Sequence, residues 1–95
     1  MLTHIVFFKL KERTPEVVQK TKEVLLNMEG KIVQLLSIAV GADVVHSERS
    51  YDIALITTFN NLADLAIYNA HPLHQEVIAY MGTVREAAVS VDFES

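Results

Sequence analysis

The chain has 95 residues, 51% of them hydrophobic, which suffices for one domain with a single core. Its formal charge of -4, from 12 acidic and 8 basic residues with no basic stripe, argues against a nucleic-acid partner. The lack of cysteine excludes disulfides, zinc–thiolate sites and a thiol nucleophile, and neither a signal peptide nor an apolar run of roughly 20 residues is present. We expect one domain over residues 1–95, cytoplasmic and without a membrane partner.

The first two elements have clear signals. Thr3 to Leu10 is rich in β-branched and aromatic residues and predicts a strand. Thr14 offers an N-cap hydroxyl, Pro15 suits the first position of a helix, and a periodic apolar face follows. We expect Gly30 to end this helix, because glycine is favoured just beyond a helix C-terminus.

The middle of the chain predicts two further strands. Ser37 to Val44 is apolar enough for a strand, and Gly41 inside it suggests a β-bulge. After a polar connection, Asp52 to Phe59 alternates in a way typical of a strand.

The last third predicts a broken helix and a final strand. Asn61 can cap the helix, whereas the proline of His71-Pro72 should interrupt it and restart it. Ala87 to Phe93 then forms a strand. The order is βαββαβ, so we expect an α+β fold in which helices cover one face of an antiparallel sheet.

Both faces of the predicted sheet are apolar. Neighbouring residues such as Phe7 and Phe8, or Leu55 and Ile56, point to opposite faces, and helices can cover only one of them. Large exposed apolar patches are rare on soluble monomers. A second copy of the chain could cover the apolar face that the helices leave open, so we expect a homodimer that packs sheet against sheet.

The candidate site is the segment from Tyr68 to His74, Tyr-Asn-Ala-His-Pro-Leu-His. If Pro72 starts a helix, the helix dipole lowers the pKa of His74 and keeps it a neutral base, while Tyr68 stays protonated as a donor. Each residue also has a structural interpretation: His71 and His74 could brace the helix terminus, and Tyr68 could be a core aromatic. The spacing of His4 with these histidines matches no standard metal site, and we expect neither a metal nor another cofactor.

Four segments carry a resemblance to a known family. They are His4–Leu10, Tyr51–Leu55, Tyr68–His74 and Val91–Phe93, and together they resemble the stress-responsive A/B barrel (Dabb) family over nearly the whole chain. The resemblance implies a ferredoxin-like α+β fold whose two sheets close a dimeric α/β barrel. This expectation agrees with the two apolar faces of the sheet.

The resemblance also implies candidate roles. Relatives include stress-induced plant proteins that form stable oligomers and a plant polyketide cyclase that closes a ring by aldol condensation. A histidine and a tyrosine act in that cyclase, and its match implies His74 as base and Tyr68 as its catalytic partner. His4 matches a pocket-lining histidine, and we add His71 as a second candidate ligand-binding residue.

Three functions remain open at this stage. The first is binding of a small carbonyl-bearing or apolar ligand between sheet and helices, with cyclase-like or isomerase-like proton transfer. The second is a non-enzymatic, stress-related oligomer in which the same residues brace the broken helix. The third is a cofactor-free barrel monooxygenase, which the absence of tryptophan and the His-Pro-x-His segment make less favoured.

Overall fold

The structure is a computed structural model that describes all residues from Met1 to Ser95. It consists of one antiparallel sheet with helices on a single face. The elements are β1 (Leu2–Leu10), α1 (Pro15–Leu26), β2 (Ser37–Ala42), β3 (Ile53–Phe59), α2 (Leu62–Ala70), α3 (Pro72–Val84) and β4 (Arg85–Glu94). The strand order is β2-β3-β1-β4, with β1 paired to both β3 and β4. This is the predicted ferredoxin-like α+β fold. The helices are too short or too polar to cross a membrane.

The helices begin where the sequence predicts. The Thr14 hydroxyl accepts a hydrogen bond from the Val17 amide at 3.3 Å, and the Asn61 side chain accepts one from the Asp64 amide at 2.9 Å. The predicted break also occurs, since α2 ends at Ala70 and α3 begins at Pro72. Each N-cap satisfies an amide that has no partner inside its helix.

Three local predictions are wrong. Helix α1 ends at Leu26, before Gly30, because bonds from residues 28 and 29 to carbonyls three residues back tighten the chain into turns. Strand β2 ends before Val44, where the Asp43 carboxylate accepts the His46 amide at 2.6 Å and turns the chain. No bulge occurs at Gly41, whose pairing with β3 is continuous.

A single apolar core lies between the sheet and the helices. The face of the sheet that packs against the helices, here called the inner face, contributes buried residues from β1 and β3. Leu25, Leu65, Tyr68, Val77 and Met81 cover them from the three helices. Strand β4 takes little part in this core, because every residue of β4 except Ala87 is exposed.

The opposite face, here called the outer face, is apolar and uncovered in the single chain. Its central row places Ile5 between Ile56 of β3 and Val91 of β4. Phe7, Ile56, Val89, Val91 and Phe93 are each at least 40% exposed. The four-stranded sheet is therefore open, with both edges unpaired within the chain.

The buried carboxylate of Asp52 connects the end of β1 to the start of β3. Asp52, just before β3, accepts the Leu10 amide at 2.7 Å and lies 3.2 Å from the Nε atom of Arg13. Its own amide donates to the carbonyl of Phe8 at 2.8 Å. Asp52 is buried, whereas the Arg13 side chain is about half exposed, so the backbone hydrogen bond carries most of the stabilisation.

We expect Asp52→Ala to lower the free energy of unfolding by about 2 kcal/mol, because it leaves the Leu10 amide without its acceptor. Arg13→Ala, which removes only the exposed partner, should cost less than about 1 kcal/mol. Urea unfolding of the two variants and the wild type measures both effects. Equal losses in the two variants would show that the ion pair, rather than the strand-end hydrogen bond, is the stabilising contact.

Candidate active site

A cavity of about 390 Å³ lies between the inner face and helix α3. Its volume is near the lower end of the range of small-molecule sites, roughly 300–1,000 Å³. The walls are mainly apolar and come from all three helices and from β1, β3 and β4. The polar and charged side chains that line it are His4, Tyr68, His74 and Arg85.

Tyr68 is the deepest polar residue of this cavity. The last turn of α2 carries it into the core, where its ring packs on Phe59 at 4.9 Å between centroids and has no solvent exposure. No protein atom hydrogen-bonds its hydroxyl. Burial raises the pKa of Tyr68 to about 12, so the hydroxyl is a donor at neutral pH. A buried hydroxyl without a partner costs about 1–3 kcal/mol, which a ligand oxygen could recover.

His74 lies against Tyr68. It occupies the first turn of α3, and the two rings are 4.2 Å apart at an angle of 39°. Its Nδ1 is 3.1 Å from the carbonyl of Asn69, which can only accept, so the neutral ring carries its proton on Nδ1 and leaves Nε2 as a base. Burial is the largest cause and lowers the pKa of His74, whereas the hydrogen bond to the Asn69 carbonyl acts in the opposite direction.

Burial is therefore the main reason why the neutral forms of Tyr68 and His74 are favoured. The sequence suggested the helix dipole as the reason for a low pKa of His74, and in the structure the first cause is the removal of the ring from water. The same removal from water raises the pKa of Tyr68. A neutral base and a neutral donor thus lie in contact.

His4 lines the cavity from β1, together with a partner that the sequence did not single out. The pairing of β1 with β4 places His4 opposite Asp92, and the His4 Nδ1 hydrogen-bonds the Asp92 carboxylate. Because a carboxylate accepts, this contact orients the ring and leaves Nε2 free. Asp92 can be identified as the partner of His4 only when the register of the antiparallel pairing between β1 and β4 is known.

The structure does not bring His71 into the cavity with the other three residues. His71 is the N-cap of α3, and its Nδ1 accepts the amide of Leu73 at 3.1 Å. It is absent from the cavity lining. Its role as a ligand-binding residue remains a prediction. No three metal-ligating side chains come together anywhere in the chain.

The fold and the cavity define a class: a ferredoxin-like α+β protein with a small apolar cavity that ends in histidine and tyrosine side chains. The sequence model of the Stress responsive A/B Barrel Domain matches residues 2–95. The chain belongs to this family. No match is found among curated protein sequences.

Solved structures share the fold over nearly the whole chain. A dimeric protein of unknown function from Bacteroides fragilis is 31% identical with a TM-score of 0.86, and the alignment covers 99% of this chain and 95% of that chain. A dimeric ferredoxin-like protein from Thermobifida fusca is 25% identical with a TM-score of 0.87, covering 99% and 90%. A hydroxynitrile lyase from Passiflora edulis is 18% identical with a TM-score of 0.83, covering 97% and 90%, and shows the fold alone.

Because the pKa of His74 is lower in the folded protein than in the unfolded chain, the unfolded chain binds more protons. We therefore expect the contribution of His74 to stability to be lost as pH falls from about 6.5 through the lowered pKa. His74→Gln should flatten the fall in unfolding free energy between pH 7.5 and 5, as measured by urea unfolding at one protein concentration.

His46→Gln is the matched control, since His46 lies in an exposed connection outside the cavity. This variant should keep the pH dependence of the wild type. An unchanged slope in His74→Gln would contradict the lowered pKa.

Proposed function

We propose that the protein binds a small carbonyl compound in the cavity between the inner face and α3 and transfers a proton next to the carbonyl group. His74 is the base, Tyr68 is the hydrogen-bond donor to the carbonyl oxygen, and His4 is a further ligand contact. The observation that carries the proposal is the buried Tyr68 hydroxyl, which lacks a protein partner and lies beside a neutral imidazole.

The chemical step follows from these two groups. The Nε2 of His74 takes a proton from the carbon next to the carbonyl, and the electron pair of that C–H bond moves into the carbon–carbon bond of an enolate. The negative charge develops on the oxygen, where the Tyr68 hydroxyl donates a hydrogen bond. If His74 returns the proton to a different atom of the enolate, the result is an isomerisation. If the enolate carbon instead attacks a second carbonyl carbon, His74 gives its proton to the new alkoxide oxygen and completes an aldol reaction.

The neighbours are consistent with carbonyl chemistry on this scaffold. The structure from Passiflora edulis is a hydroxynitrile lyase, and a hydroxynitrile is the adduct of a carbonyl compound with cyanide. Its identity of 18% supports a common fold rather than a common substrate. The weight of the proposal therefore rests on the Tyr68 and His74 geometry.

We propose further that the outer face pairs with the outer face of a second copy to form a homodimer. The apolar residues of this face are exposed in the single chain, and the similar proteins from Bacteroides fragilis and Thermobifida fusca are dimeric. A symmetric contact would cover both copies of one patch. Since the cavity lies on the inner face, this dimer leaves it free to bind a ligand.

We expect Tyr68→Phe to weaken binding of acetophenone about tenfold, because a hydrogen bond into a buried site is lost. Binding of ethylbenzene, which has the same ring without the oxygen, should not weaken. Titrations followed by the NMR signals of His74 measure both affinities. The free energy of unfolding should stay equal or rise, because the variant removes a hydroxyl that has no protein partner.

The matched control is Tyr80→Phe, whose hydroxyl bonds Thr21 outside the cavity and whose loss should leave the ketone affinity unchanged. Proton transfer is tested by exchange of the acetophenone methyl protons in D₂O, which wild type should accelerate and His74→Gln should not. Binding without exchange would limit the protein to ligand binding. Neither binding nor exchange, with a loss of stability in Tyr68→Phe, would refute the proposal and favour the structural oligomer.

The dimer has its own test. Val91→Lys places a charge among the exposed apolar residues of the outer face, beside Ile5, and should convert the dimer to monomer in size-exclusion chromatography with light scattering. Val33→Lys makes the same change at a position that is 91% exposed and lies off the sheet, and it should remain dimeric. A monomeric wild type, or a dimer that survives Val91→Lys, would refute this interface.

A further inference from the structure

The cavity has a positive charge at the end opposite to Tyr68 and His74. Arg85 lines it at the junction of α3 and β4. His74 and Arg85 are 11 residues apart at the two ends of α3, a span of roughly 16 Å at about 1.5 Å per residue. The pairing of β1 with β4 also places the two groups at opposite ends of the cavity. His4 pairs with Asp92 at one end of the strands, and Leu10 pairs with Arg85 at the other.

The guanidinium of Arg85 has no partner in the protein. The ion pairs of the chain join His4 to Asp92, Arg13 to Asp52 and His46 to Asp43. None includes Arg85, and no side-chain hydrogen bond uses it, although the chain has 12 acidic residues. On β4, the Asp92 carboxylate is engaged by His4.

Apolar side chains separate the two polar ends. Val6 and Phe8 of β1 form the floor of the cavity, and Val77, Ile78 and Met81 of α3 form its wall. Ile78 is 46% exposed, although it faces a cavity rather than packing in the core. An apolar chain in the cavity would remove this surface from water.

From this arrangement we infer the substrate class: an elongated oxo acid, with its carbonyl group at Tyr68 and His74, its apolar chain along α3, and its carboxylate on Arg85. This inference rests on the proposed function and adds a second point of binding, the contact of the carboxylate with Arg85. One guanidinium matches the two oxygens of one carboxylate, whereas phosphate sites usually gather several donors. The net charge of -4 also disfavours a more highly charged ligand.

The test compares straight-chain methyl-ketone carboxylic acids of six to twelve carbons with their methyl esters. Each ester keeps the carbonyl and the chain but removes the charge. For the best chain length, wild type should bind the acid roughly five- to tenfold more tightly than the ester, as expected for an ion pair that is partly exposed. The preference should shrink at high salt. The Arg85 Nε–H signal in NMR should move with the acid and not with the ester.

Arg85→Gln should reduce the ratio of acid to ester affinity to about one. Arg49→Gln, which removes a charge outside this cavity, should keep the ratio of the wild type. Acid and ester of equal affinity in wild type, both shifting the His74 signals, would overturn the role of Arg85 and leave the proposed function standing. If neither compound shifts the His74 signals at any chain length, the carbonyl site itself is refuted, and the oxo-acid inference with it.

Discussion

The main constraint on this protein is that its three helices all lie on one face of a four-stranded sheet. They cover β1 and β3 on the inner face, whereas β4 remains almost wholly exposed. Both proposed binding surfaces follow from this arrangement. Where α3 runs beside the uncovered inner side of β4, a cavity remains open, and the entire outer face is left apolar and available for a second copy.

Burial shifts the pKa values of Tyr68 and His74 in opposite directions, and both shifts favour the neutral form. Loss of water disfavours the charged form of each group, so it raises the pKa of Tyr68 and lowers the pKa of His74. Both are therefore neutral near pH 7, one as a donor and the other as a base. The carbonyl of Asn69 sets the position of the proton on His74, which makes the break between α2 and α3 part of the site as well as of the fold.

Local signals predicted most of the fold, because the relevant interactions are short in sequence. The N-caps at Thr14 and Asn61 and the break before Pro72 each depend on residues within one helical turn. The errors have a different origin. The end of α1 before Gly30 reflects a change to hydrogen bonds between residues three apart, and the regular pairing of Gly41 is decided by the partner strand β3.

The sequence by itself determined the helix starts, the alternation that gives the sheet two apolar faces, and the segment that carries Tyr68 and His74. Only the tertiary structure decided which side chains share a cavity. It joined His4 to Asp92 and placed Arg85 at the far end of the cavity. The physical reason is that these contacts depend on the register between β1 and β4, whose residues lie more than 70 positions apart in the chain.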